Sequence, residues 1–232
     1  MGEYANNNAL VYCNMLQKIE IGSNVTNIGM YAFCKCYSLS SVVIPNGVTS
    51  IGSSAFSNCN SLANLVIPNS VTNMDGSIFS GCYSLIKAII PESITYIGAS
   101  IFQYCYSLSN VILPNGVTGI GSSAFHNCYS LANLTIPDSV TSILQSAFVN
   151  CYSLSSLTIP SGVTNINRLQ FQNCYGMAEY DFTSHTSVPT LSYSNAFEKI
   201  PSDCKIKVLT SLYDEWIAAT NWSTYASYIV AA

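Results

Sequence analysis

Apolar residues return along this chain at two nested periods. Within a segment they alternate, as in Leu39-x-x-Val42-x-Ile44, Leu62-x-x-Leu65-x-Ile67, Leu85-x-x-Ala88-x-Ile90 and Leu108-x-x-Val111-x-Leu113. A period of two predicts a strand with one face turned inward. The whole phrase then recurs every 23 residues; from Cys36 it reads C-x-S-L-x-x-V-x-I-P-x-G/S-V-T-x-I-G-x-x-A-F-x-x-C. A fixed period of this length means one supersecondary unit stacked on copies of itself.

Each unit predicts its own elements. Proline ends the first strand at Pro45, Pro68, Pro91, Pro114, Pro137 and Pro160, because it lacks the N–H that a ladder needs. A second short strand follows at Val48-Thr49-x-Ile51 and its equivalents. The segment S-S-A-F-x-N-C then predicts one helical or 3₁₀ turn. Its phenylalanines, from Phe33 to Phe171, point inward as a stacked aromatic column. No unit can bury these groups alone, so its neighbours must cover them. At about 4.8 Å per coil, seven coils span roughly 35 Å, with their first strands in one parallel sheet. Asp75, which stands where other units have Gly, is read as a turn residue of positive φ.

The domain reading follows the period. Residues 1–15 form an irregular segment or partial repeat, with 9–13 as the tail of an earlier unit. Residues 16–176 hold seven 23-residue repeats, and 177–232 form a degenerate repeat and cap. In that last part Met177–Phe182 and Cys204–Val208 read as strands and 183–203 as a loop echoing the repeat at Asn195-Ala196-Phe197. Leu212–Ala219 and Trp222–Val230 read as short helices. Such an end piece covers the last coil with a polar outer face; the alternative is a small separate binding domain.

Composition narrows the chemistry. Charged residues make up 8% of the chain and the net charge is −4, so no basic stripe serves a nucleic acid and no polybasic patch serves a membrane. No apolar run reaches the length of a membrane-spanning helix. No basic and apolar leader opens the chain; the expectation is that the signal is removed, that the sequence is part of a longer protein, or that the protein is not exported by that route.

Eight cysteines form one ladder: Cys13, Cys36, Cys59, Cys82, Cys105, Cys128, Cys151 and Cys174. Neighbouring rungs near 5 Å apart fall within disulfide reach. A repeated inward cysteine, however, is expected as a buried thiol acting as a small hydrophobe, and stacked rungs do not supply the disulfide dihedral. No metal site is expected, because the Cys34-x-Cys36 pair is too short and unmatched. His126 occupies a variable surface position, and neither it nor His185 joins a nucleophile or a carboxylate pair. No catalytic residue and no cofactor is expected.

Two ladders point to binding. Outward on the first strand stand Val43, Val66, Ile89, Ile112, Thr135 and Thr158, with Glu20 at the start. An exposed row of β-branched apolar residues is a candidate partner surface, although the same residues also suit any strand. The second ladder follows each cysteine: Tyr83, Tyr106, Tyr129 and Tyr152, flanked by Tyr37, Asn60 and Tyr175. It offers either a contact edge or a seal over the core.

The unit resembles the leucine-rich repeat of the BspA-like class, on its 23 residues, its proline after the strand and its A-F-x-x-C segment across residues 9–176. The Asn or Cys of the commonest leucine-rich repeat is replaced here by Gly47, Ser70, Ser93, Gly116, Ser139 and Gly162. The end piece resembles caps on repeat proteins of gut bacteria and phages. The resemblance implies a right-handed solenoid of the α/β superhelix type, rich in β structure. It implies a small α-containing C-terminal cap and an extracellular or cell-surface setting. It also implies adhesion to a protein or glycan of a host or neighbouring cell. The alternative is a structural spacer or fibre component, with self-association through the first coil.

Overall fold

The computed structural model describes residues 12–232; the expected partial unit at 9–13 lies mostly outside them. The chain winds as stacked coils, a β-solenoid of about nine turns. On one side run Lys18–Glu20, Ser41–Val43, Lys87–Ile89, Asn110–Ile112, Ser156–Thr158, Glu179–Asp181, Lys205–Val208 and Ile229–Ala231. On a second side run two-residue strands from Asn27–Ile28 to Thr190–Leu191. All pairing is parallel, and within the repeats partners stand 23 residues apart, as in Ile89 with Ile112.

The first side is not one continuous sheet. Its strands pair in runs of two, two and four. The coils at 62–84 and 131–153 contribute only single bridges, Asn64 with Lys87 and Asn110 with Asn133. Both carry the same Ser-Leu-Ala-Asn-Leu phrase.

On the third side, the expected turn is a run of overlapping hydrogen-bonded turns. Ala55 N–H donates to Gly52 C=O at 3.2 Å, Ser57 to Ser54 at 3.1 Å and Cys59 to Phe56 at 3.1 Å. These are the three-residue steps of a 3₁₀ turn. They do not propagate, because Ser54 and Asn58 have φ of +56° and +58°. The same two positions are left-handed in later coils at Ser77 and Gly81, Ser100 and Tyr104, and Ser123 and Asn127. Asp75 is not among the positive-φ residues; Ser77 and Gly81 carry that conformation in its coil. The alternate amides point along the stack: Phe56 N–H donates to Ile78 C=O at 3.0 Å and Asn58 N–H to Ser80 C=O at 2.7 Å.

The core is a column inside these three sides. Phe33, Phe56, Phe79, Phe102, Phe125, Phe148 and Phe171 stack with ring centroids 5.2 to 5.9 Å apart. Phe197 extends the column, 5.2 Å from Phe171. Beside it runs the cysteine ladder. The sulfhydryl of Cys59 donates to Phe33 C=O at 3.2 Å, and Cys82, Cys105 and Cys128 repeat the bond one coil on each time. Cysteines 59, 82, 105, 128, 151, 174 and 204 are free thiols. Burial raises their pKa, that of Cys174 to about 12, so the thiolate that would react is suppressed.

The end of the stack departs from the reading as loop and helices. Thr190–Leu191 is a strand paired with Asn165–Ile166, inside the segment read as a loop. The helical content is a 3₁₀ turn at Thr210–Leu212, an α-helix at Tyr213–Ala218 and a 3₁₀ stretch at Trp222–Tyr228. The last of these gives way to the strand Ile229–Ala231, which pairs with Lys205–Val208. Trp216 and Trp222 are fully buried, 4.6 Å apart edge to face, and both meet Phe182. Trp222 Nε1 donates to Pro189 C=O at 2.7 Å.

Candidate binding surfaces

The first-side strands alternate exposed, buried, exposed at Ser41–Val43, Lys87–Ile89, Asn110–Ile112 and Ser156–Thr158. Inward go Val42, Ala88, Val111 and Leu157. Outward go all six candidate residues of this side. Val43 is 53% exposed, Val66 76%, Ile89 46% and Ile112 47%; Thr135 and Thr158 are also exposed. Ile86, just before its strand, is also exposed.

This apolar row has polar ends. Before it, the Lys18 Nζ and Glu20 Oε1 atoms pair at 2.7 Å. After it come the two threonines, and then Lys207 Nζ pairs with Glu179 Oε2 at 2.8 Å. The bond to Glu20 raises the pKa of Lys18 and lowers that of Glu20. Between Ser41 and Thr158 the outward strand positions carry one charge, Lys87. Such a surface presents apolar shape and neutral hydrogen-bonding groups with little charge.

A hollow of about 290 Å³ interrupts the row between the coils at 108–130 and 131–153. Ile112 and Thr135, both candidates from the sequence, line it with Asn110, Asn115, Asn133 and Pro137. Periodicity gave no signal for this hollow. The repeated Ala-Asn-Leu phrase at 63–65 and 132–134 marks the coils whose pairing lapses.

The tyrosine ladder is a separate strip. Tyr83, Tyr106, Tyr129, Tyr152 and Tyr175 stack at 4.7 to 5.2 Å, with ring planes within 27°. Stacking covers the ring faces, leaving edges and hydroxyls outward. A sugar that packs on an aromatic face therefore finds open faces only at the two ends. Burial, then the neighbouring tyrosines, raises the pKa of Tyr106 and Tyr152.

The histidines lie apart. His126 is half-buried beside Tyr104, with ring centroids 6.0 Å apart, and burial lowers its pKa. His185 is buried under Phe182, its Nε2 3.2 Å from Val163 C=O. Among the described residues no cluster of three His, Cys, Asp or Glu could hold a metal ion. Among the same residues, no helix is long and apolar enough to cross a membrane.

Comparison with known proteins agrees with this architecture. A family model described as a BspA type leucine rich repeat region matches six copies, over residues 3–129 and 95–212. No curated protein matches the chain. Among solved structures, it is similar to a leucine rich cell surface protein from Faecalibacterium prausnitzii. The two are 28% identical over 87% of this chain and 60% of that one, with a TM-score of 0.61. It is 26% identical to the leucine rich repeat protein of T. pallidum, covering 74% of this chain and 72% of that one, with a TM-score of 0.51. A leucine-rich repeat protein from Bacteroides ovatus shares the fold at 24% identity, 87% and 65% coverage and a TM-score of 0.57. The chain thus spans less than two thirds of the F. prausnitzii and B. ovatus chains.

Proposed function

The chain belongs to the BspA-type leucine-rich repeat family, and from that premise we propose that it is a non-enzymatic binding module of a microbial cell surface. It docks a protein or glycan partner on the outward side of its first strands, in adhesion. One observation carries this reading: Val43, Val66, Ile89 and Ile112 form an exposed apolar row between two ion pairs. Water leaves such a row at a gain of about 25 cal/mol per Å² of apolar surface covered. The rigid column beneath it means that little ordering cost is added on binding. The surface setting is supported by the likeness to the F. prausnitzii cell surface protein.

A second reading is a rigid spacer that presents another module. The regularity of the stack favours it, since the same hydrogen bonds recur from coil to coil. One screen separates the two. The purified chain is tested against host-matrix proteins and a glycan array, beside a Val43→Asp/Val66→Asp/Ile89→Asp variant whose fold is checked by circular dichroism. Binding that the folded variant loses supports docking on this side. Binding to nothing, or binding that the variant keeps, overturns it and favours the spacer.

A further inference from the structure

We propose that the hollow between the coils at 108–130 and 131–153 is a subsite for one ring of an uncharged sugar, an inference that rests on the first side being the binding surface. It begins where strand pairing gives out. One coil earlier, Ile90 N–H donates to Ile112 C=O at 3.0 Å. Here Asn110 and Asn133 still form a bridge. The next bond in register, from Leu113 N–H to Thr135 C=O, is not made among the described residues. The coils part, and the space left is about 290 Å³.

The lining selects the ligand. Asn110, Asn115 and Asn133 bring three carboxamides and Thr135 brings a hydroxyl, and each of these groups both donates and accepts. Sugar hydroxyls do the same, so either partner can take either role. Elsewhere in the stack asparagines are tied to one another, Asn150 Nδ2 to Asn127 Oδ1 at 2.5 Å and Asn173 Nδ2 to Asn150 Oδ1 at 2.7 Å. The polar side chains of the hollow take part in none of the hydrogen bonds within the described residues, so a ligand displaces water from them without breaking a bond of the protein. Ile112 and Pro137 supply apolar walls for the C–H face of a pyranose.

No ionised side chain lines the hollow. A uronate, sialate or phosphate would lose hydration there with no counter-charge to replace it. An extended peptide binds by adding to a free strand edge. The Asn110–Asn133 bridge still ties the two coils at one end of this hollow, which shortens any such run of free backbone groups. Small-molecule sites run upward from about 300 Å³, and the size therefore suits one ring. Single-ring affinity is on the order of millimolar, and useful adhesion comes from many copies bound at once.

The test is an NMR titration of the whole ¹⁵N-labelled chain with glucose, galactose, mannose and N-acetylglucosamine, with glucuronate and an apolar peptide pool as contrasts. The side-chain amide signals of Asn110, Asn115 and Asn133 are expected to shift saturably with at least one neutral sugar. Asn133→Ala and the near-isosteric Thr135→Val are each expected to weaken that binding roughly fivefold to tenfold, and Thr95→Val, exposed on the second side, to leave it unchanged. No saturable shift with any neutral sugar overturns the proposal. So does a shift that survives both substitutions, or saturation by glucuronate or peptide instead. If a partner from the broader screen depends on Val43 and Val66 while no sugar shifts these amides, the docking surface stands and the sugar subsite falls.

Discussion

The repeats and the C-terminal closure solve one problem in two ways. Every coil must bury an aromatic ring and satisfy its backbone. Between residues 16 and 176, each coil does so against a near copy of itself. Phe102 meets Phe79 on one side and Phe125 on the other, both at 5.7 Å. Beyond that, only Phe197 continues the column, and unlike groups fill the rest: Tyr180, Phe182, Trp216, Trp222 and Tyr225. Among the described residues, every buried side-chain N or O atom without a hydrogen-bond partner lies between Gln170 and Trp216. A repeat that satisfies its polar groups once satisfies them at every coil. The closure must find a separate solution for each, and it leaves Asn195 Oδ1 and Trp216 Nε1 unpaired, each at a cost of about 1 to 3 kcal/mol.

The sharpest attack on this contrast removes one ring from each region. Phe102→Ala and Trp222→Ala are each expected to cost about 3 to 5 kcal/mol in denaturant unfolding. They should differ in how the loss spreads. In Trp222→Ala, amide exchange should accelerate first over residues 177–232, because the closure rests on contacts that no neighbouring coil duplicates. In Phe102→Ala it should rise through the middle coils. Uniform acceleration in both would show that stack and closure open as one unit, which breaks the contrast.

A smaller effect tests where the repeat begins to fail. Leu169 holds φ +54°, where earlier coils place Ser54, Ser77, Ser123 and Ser146. A left-handed backbone costs a residue with a Cβ about 1 to 2 kcal/mol, and asparagine tolerates it better. Leu169→Asn is therefore expected to stabilise the chain by about 1 kcal/mol, raising Tm by about 2 to 4 °C. A fall in Tm would mean that the Leu169 side chain contributes more than its backbone costs.

The smallest effect is one of pH. Burial holds the His185 imidazole below its ordinary value, although Asp181 and the carbonyls of Val163 and Phe182 push the other way. The folded chain thus keeps the ring neutral, whereas the unfolded chain protonates it near pH 6.5. The contribution is complete above that pH and is lost as the pH falls through it. His185→Gln should flatten the decline of stability between about pH 7 and pH 5. An unchanged slope would assign the acid sensitivity to other groups.

Much of the stack was legible in the residues, because each unit carries its own instructions. The alternation at Val42 and Ile44, the stop at Pro45 and the inward Phe56 and Cys59 act within one coil, and repetition multiplies them. The candidate row from Val43 to Thr158 was legible for the same reason, since outward positions follow from inward ones. Less local features were hidden. The tyrosine ladder was visible as a list of residues. That its ring faces are covered depends on a coil spacing close to the stacking distance of two aromatic rings. Thr190–Leu191 is too short to announce itself and exists as a strand only because Asn165–Ile166 pairs with it.

The period, the parallel stacking, the aromatic and thiol column and the side on which the apolar row stands are all written in the order of residues. These follow from local preferences that agree in every copy. Contacts between coils settle where the sheet parts, which asparagines stand around the resulting hollow and how the last coil is closed. Those outcomes depend on residues at least 23 positions apart meeting in space, and on the point where identical neighbours run out. A pairing between unlike coils is a balance over both partners, and neither segment records it alone.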